Sequence, residues 1–139
     1  RNNRSKTNNQ KSYTVNIETL TVKLSFPCRL FAEYQLNNKL QKTKTIQVTS
    51  KQSQYPFNEN IFWDKRQEKL PLIVTFKLLS NQGLEFTAGA LYIKEADIEN
   101  SPVNYKVSRT ADIELFCLCK FNLPEEEQQV DPRGDPVGF

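Results

Sequence analysis

Histidine is absent from all 139 residues, which removes the commonest acid–base group near neutral pH. The remaining serine and cysteine nucleophiles would need another base, and no glycine-rich stretch is arranged to cradle phosphates. No catalytic residue is assigned, and the expectation is a protein that is not an enzyme. Three cysteines, Cys28, Cys117 and Cys119, are an odd number without histidine partners. That pattern suggests neither a disulfide framework nor a zinc site, so buried free thiols in a reducing compartment are expected, with no metal and no cofactor.

Lysine supplies the one constellation able to bind. Lys42 and Lys44 stand two apart in an alternating segment, so in a regular strand they share a side about 7 Å apart. Lys39 and Lys51 lie near the ends of that segment. Several ammonium groups on a rigid face suit phosphates or an acidic partner. A competing reading is an edge strand that lysines guard against pairing with another chain.

Residues 1–51 hold ten Lys and Arg against only Glu18 and Glu33, although the whole chain carries a formal charge of just +3. A dipolar chain of this kind can present a basic face. Nucleic acid is disfavoured as a partner, because binders of single strands add exposed aromatic residues along the same track and nothing places Tyr34 or Tyr55 beside the lysines. Arg133-Gly-Asp135 and the glycosylation-type Asn3-Arg-Ser5 are short enough to recur by chance.

The elements that must position these lysines read as strands. Tyr13, Val15 and Ile17 alternate with polar residues, and after a phase slip near Thr19 the series resumes as Leu20, Val22 and Leu24, which predicts one strand with a bulge. Further strands are predicted at 30–36, 40–49, 57–63, 70–79, 84–93 and 113–123, with a brief edge segment at 104–107. In the third, Lys42, Lys44, Ile46 and Val48 fall on one side. Residues 70–79 are apolar on both faces for most of their length, as befits a central strand. Phe57 and Trp63 are expected to fill the core; Phe26 and Phe86 could insert into a membrane, but core packing is the simpler role for either. Eight short strands without a useful amphipathic helix predict an all-β, eight-stranded antiparallel β-sandwich over 13–123. A flexible segment, 1–12, precedes it, and a flexible or surface-bound tail, 124–139, follows.

Several local words, in order, resemble the C2 domain family. Lys42-Thr-Lys-Thr45 is similar to its basic third strand, Tyr55-Pro-Phe-Asn-Glu59 to its Asn-Pro-X-(Trp/Phe)-Asn-Glu segment, and Leu72 to Phe76 to the hydrophobic strand that follows. Ala88-Gly-Ala90 resembles its Ile-Gly strand opening, and Asp112-Ile-Glu-Leu115 its closing strand. The resemblance implies a sandwich that commonly works at membranes with calcium. Departures fall where calcium would sit: Ser25-Phe-Pro-Cys-Arg29 lacks the family's aspartate, and Lys77 and Leu79 occupy the approximate places of an alternating aspartate pair. Calcium needs six to eight oxygens, largely carboxylate, and a lysine ammonium would repel it.

The chain, which opens on Arg1, reads as a segment of a larger protein. Its expected role is that of a calcium-independent C2-like protein-interaction module in an intracellular scaffold, whether trafficking, centrosomal or ciliary, with an unknown protein partner. The alternative is peripheral attachment to anionic phospholipid or phosphoinositide through Lys39, Lys42, Lys44 and Lys51. Either role places it in the cytoplasm, at a membrane surface, the cytoskeleton or the cilium. No apolar run approaches the roughly 18 residues that cross a bilayer.

Overall fold

The computed structural model describes residues 12–124. Residues 1–11 and 125–139, with the expectations of flexibility placed on them, and Arg133-Gly-Asp135 and Asn3-Arg-Ser5 lie outside the described residues. Alternation of apolar and polar side chains builds nine strands: β1 (Ser12–Leu24), β2 (Cys28–Leu36), β3 (Lys39–Lys42), β4 (Ile46–Val48), β5 (Gln54–Asp64), β6 (Leu72–Leu79), β7 (Glu85–Ile93), β8 (Val103–Arg109) and β9 (Ile113–Asn122). One short helix, α1 (Glu95–Ile98), lies between β7 and β8 and sends Ile98 into the core. Asp97 fixes it twice, accepting from the Lys94 backbone N–H at 3.1 Å and the Tyr105 hydroxyl at 2.8 Å.

Two antiparallel sheets result, one ordered β5-β1-β9-β8 and the other β3-β2-β6-β7, with β4 also paired to β2. This is an all-β antiparallel sandwich whose inner faces share one core. The phase slip in β1 is a bulge between Ile17 and Thr19. It keeps Val15 and Ile17 buried before Glu18, and Leu20 and Val22 buried after it. Glu18 turns outward to Lys120 at 2.9 Å. Phe57 on β5 meets Phe76 on β6 across the core, with ring centroids 6.4 Å apart. Trp63 is buried and stacks on Tyr13 at 5.7 Å. β6 lies between β2 and β7, and the segment at 103–109 is a full edge strand.

The third strand departs from expectation because it breaks at 43–45 into β3 and β4. Thr43 causes the break: its backbone N–H donates to the Ala32 carbonyl at 2.9 Å. Its hydroxyl accepts from the Ala32 N–H at 2.9 Å and donates to the Lys44 carbonyl at 2.9 Å. A side chain thus takes a place in the ladder, and the phase shifts: Lys42 pairs with Glu33 on the outer face, whereas Ile46 and Val48 pair with the inward Leu30 and Cys28.

On the far side the sheets approach through Gly89. A Cβ there would lie 2.5 Å from the Val107 carbonyl oxygen, at the residue bulged between Lys106 and Ser108. Loops 25–27, 49–53, 80–84 and 110–112 gather at one end of the sandwich, where the Ser25 N–H bonds the Asp112 carbonyl and the Val22 N–H bonds the Ser53 carbonyl. The start of β1 and the end of β9 pair at the opposite end, Thr14 beside Asn122.

Two substitutions test this packing. Gly89→Ala is expected to cost about 1–3 kcal/mol, because backbone rather than a flexible side chain stands in the way. Thr43→Val keeps the shape but orphans the Ala32 N–H and is expected to cost about 1–3 kcal/mol. Urea denaturation should show a lower midpoint with an unchanged slope for both, and a wild-type midpoint for either would contradict the corresponding contact.

Candidate functional site at the loop end

The four lysines do not form one face. Lys42 lies on the outer face of the second sheet, its Nζ 5.7 Å over the Phe31 ring and 3.8 Å from the Glu33 carboxylate. Lys44 lies beyond the break, with its Nζ 5.8 Å over Phe57, a core ring of the other sheet. Its backbone N–H donates to Glu59 at 3.2 Å. Lys39 sits beside the Asn37–Asn38 turn at one end, and Lys51 in the 49–53 loop at the other. The expected common side for Lys42 and Lys44 is therefore corrected: the lysines run along the β3–β4 edge, and only Lys51 reaches the loop end.

At that end the structure corrects a second expectation. Phe26 is 38% exposed and Phe86 46%, so neither serves as a core residue, and Leu84 beside them is 59% exposed. Phe26 occupies the β1–β2 turn, and Leu84 and Phe86 the β6–β7 hairpin. Adjacent pairing of Arg29 with Leu79 brings the two turns together. The hairpin tip is held by Ser80, whose carbonyl accepts from the Gly83 N–H at 3.0 Å and whose hydroxyl accepts from the Leu84 N–H at 3.1 Å. Gly83 supplies the positive φ of 86° that this tight turn needs. Arg29 and Lys51 stand exposed beside these apolar tips, with no ion pair among the described residues.

Sequence reasoning missed Leu84, Arg29 and Lys23 as members of this end. The usable signal was that Phe26 and Leu84 fall in turns, where a side chain has no opposite sheet to pack against.

The places where the resemblance would put calcium carry other chemistry. Lys77 donates to the Thr87 hydroxyl at 3.2 Å and lies 3.7 Å from Glu85, which holds an ammonium group below the hairpin. No cluster of three or more His, Cys, Asp or Glu able to hold a metal occurs among the described residues. The three cysteines are free and buried. Burial pushes the Cys28 thiol up, the Cys119 thiol up to about 12, and Cys117 well above its ordinary value, with the Cys119 charge adding to the last. Thiols so raised are poor sources of thiolate near neutral pH.

No family model matches the sequence, and no curated protein matches it. Solved structures do match. A C2 domain-containing protein from an elicitor-responsive gene superposes with a TM-score of 0.58 at 10% identity, covering 89% of this chain and 93% of that one. A structure of CC2D1B, a protein of the mitotic reformation of the nuclear envelope, superposes with a TM-score of 0.56 at 12% identity over 86% of this chain. The present chain spans 59% of that chain's length. At such identities the likeness concerns the backbone, and with the strand order above it identifies the chain as an all-β sandwich with the C2-like fold.

Proposed function

We propose that this chain is a C2-like module that attaches peripherally to anionic membrane surfaces without calcium. The observation that carries the reading is the group of exposed apolar tips, Phe26, Leu84 and Phe86, at the end that also presents Arg29 and Lys51. Water contact with such side chains is unfavourable, and full burial of each is worth about 1.5–3 kcal/mol. Basic groups near an anionic leaflet add about 1 kcal/mol each. An interfacial site needs both terms, since an apolar tip enters the acyl boundary while the cations stay with the headgroups. In calcium-dependent binding a bound cation bridges carboxylates to lipid. Here Arg29 and Lys51 supply positive charge from the chain itself, while Lys77 is matched by Glu85. No helix among the described residues is long and apolar enough to cross a membrane.

A second reading rests on a different surface. On the outer face of the second sheet, Leu40 pairs with Gln35, and Ile73 pairs with Tyr92 one step beyond the Tyr34–Val74 pair. Leu40, Ile73 and Tyr92 are exposed apolar residues from three of the four strands on this face, with Gln35 of β2 between Leu40 and Ile73. A cavity of about 410 Å³ lies along it, lined by Leu40, Pro71 and Ile73 together with Glu33, Glu68 and Lys69. Such a face suits a protein partner in a trafficking, centrosomal or ciliary scaffold. The two readings use separate surfaces, and both keep the module non-catalytic and on the cytoplasmic side.

Sedimentation with phosphatidylserine vesicles tests the membrane reading. Binding is expected to be equal in EDTA and in calcium, and to weaken as salt rises past a Debye length of about 10 Å at 0.1 M. The triple variant F26S/L84S/F86S should bind at least about tenfold more weakly while melting as the wild type does. Absence of binding at low salt would refute the reading. Calcium should leave the thermal midpoint unmoved, and a concentration-dependent rise would show a cation site in the folded state.

A further inference from the structure

The edge of a sheet presents a row of backbone N–H and carbonyl groups, and folded chains blunt such edges with lysines, prolines, bulges or a covering element. The two sheets here end in β8 and β7 on one side, and in β5 and the β3–β4 pair on the other. β8 is bulged between Lys106 and Ser108, and β7 is bulged opposite Phe76 and Lys77. These two edges cover each other, since Gly89 of β7 lies against the Val107 carbonyl. β3 carries Lys39 and Lys42 at its two ends, and the break at 43–45 parts it from the short β4. The first half of β5 holds Pro56 and the positive φ of 51° at Asn58.

The second half of β5 has none of these devices. Residues 59–63 pair with 17–13 of β1 in unbroken register, contain no lysine, proline or glycine, and meet no second strand among the described residues. The stretch is held rigid from within: Ile61 and Trp63 are buried, and Trp63 stacks on Tyr13. On the outer face the Asn60 side-chain oxygen accepts from the Asn16 amide at 2.9 Å. An edge so fixed needs little ordering in order to pair. Phe62 stands on the same outer face, 59% exposed. A cavity of about 280 Å³ lined by Phe62, Trp63, Leu36 and Asn37 leaves room beside the strand.

We propose that residues 60–64 of β5 pair antiparallel with the same residues of a second copy, joining two four-stranded sheets into one across a two-fold axis at Phe62. An isologous contact must be self-complementary, and this stretch is. Phe62 faces Phe62, Ile61 faces Trp63, Asn60 faces Asp64, and Glu59 comes beside Lys65 of the second copy. No like charges oppose each other, and two exposed rings cover one another. A slip of one residue would set outward side chains against inward ones, so the faces of the strand fix the register. Antiparallel pairing also turns the second copy end for end. Its loop tips then point away from those of the first, and the dimer holds two anionic surfaces at once. That bridging role rests on the membrane reading, whereas the pairing itself does not.

So short a ladder buries less than the roughly 1,200–2,000 Å² of a standard interface, and a dissociation constant of about 10⁻⁵–10⁻³ M is expected. Sedimentation equilibrium of the full chain from about 10 µM to about 1 mM spans that range, and the mean mass should rise from one chain toward two. Phe62→Lys and Phe62→Glu should each remain monomeric while melting as the wild type does, because like charges then face each other across the axis. An equimolar mixture of the two should dimerise again, at least about tenfold more tightly than either alone. F26S/L84S/F86S should leave the wild-type mass curve unchanged. With phosphatidylserine vesicles, the wild type should raise turbidity by clustering them, and Phe62→Lys should bind without clustering.

A wild type that stays monomeric throughout, or a mixture as monomeric as its components, would overturn the pairing. Loss of self-association in F26S/L84S/F86S would also overturn it, by placing the contact at the loop tips. Self-association without vesicle binding would uphold the pairing and overturn the membrane reading. Vesicle binding by a dimeric chain that does not cluster vesicles would overturn bridging alone.

Discussion

Two sheets share one core only where side chains from both meet, and the contact between Phe57 and Phe76 is such a meeting point. The residue after Phe57, Asn58, takes a positive φ of 51° opposite the bulge at Glu18 of β1. Asparagine tolerates that conformation better than most residues. β5 keeps its two-residue alternation, with Tyr55, Phe57, Ile61 and Trp63 all inward, while β1 slips phase so that both Ile17 and Leu20 face the core. The same contact governs charge at the open edge, because Lys44 lies over the Phe57 ring. A lysine stem over an apolar ring covers the core while its head stays wet. Lysines that read as a binding strip thus also serve as lids, and their placement follows the rings beneath them.

Much of the fold was legible because burial in a sandwich has a period of two, and the residues report it directly. Val15 and Ile17, then Leu20 and Val22, reveal even the bulge at Glu18 as a slip of phase. The break at 43–45 was not legible, since Lys-Thr-Lys-Thr alternates without fault. Only the hydroxyl of Thr43 bonding Ala32, eleven residues away in sequence, shows that the ladder is interrupted there. Calcium chemistry was legible for the opposite reason: the replaced acids, at Ser25–Arg29, Lys77 and Leu79, are judged one position at a time.

The loop end was the hardest part to read. Phe26 and Leu84 are far apart in the chain, and an aromatic residue between strands looks like core until topology shows that the turn has no facing sheet. Lys23 likewise gains meaning only once the Val22–Ser53 bond sets the 49–53 loop beside it. Tyr55 was legible as part of a motif. That its hydroxyl, rather than its ring alone, organises a loop follows only from the fold.

The pairing of Thr14 with Asn122, at the end opposite the loops, has a mechanical consequence. Were the loop end held on a surface while chain joined at residue 12 or 122 was pulled away, tension would run lengthwise down β1 and β9. Hydrogen bonds between these neighbours lie across that axis, so the load would meet the ladder broadside instead of peeling it pair by pair. Under that load the sandwich would act as a short tie, bearing tension along the strands.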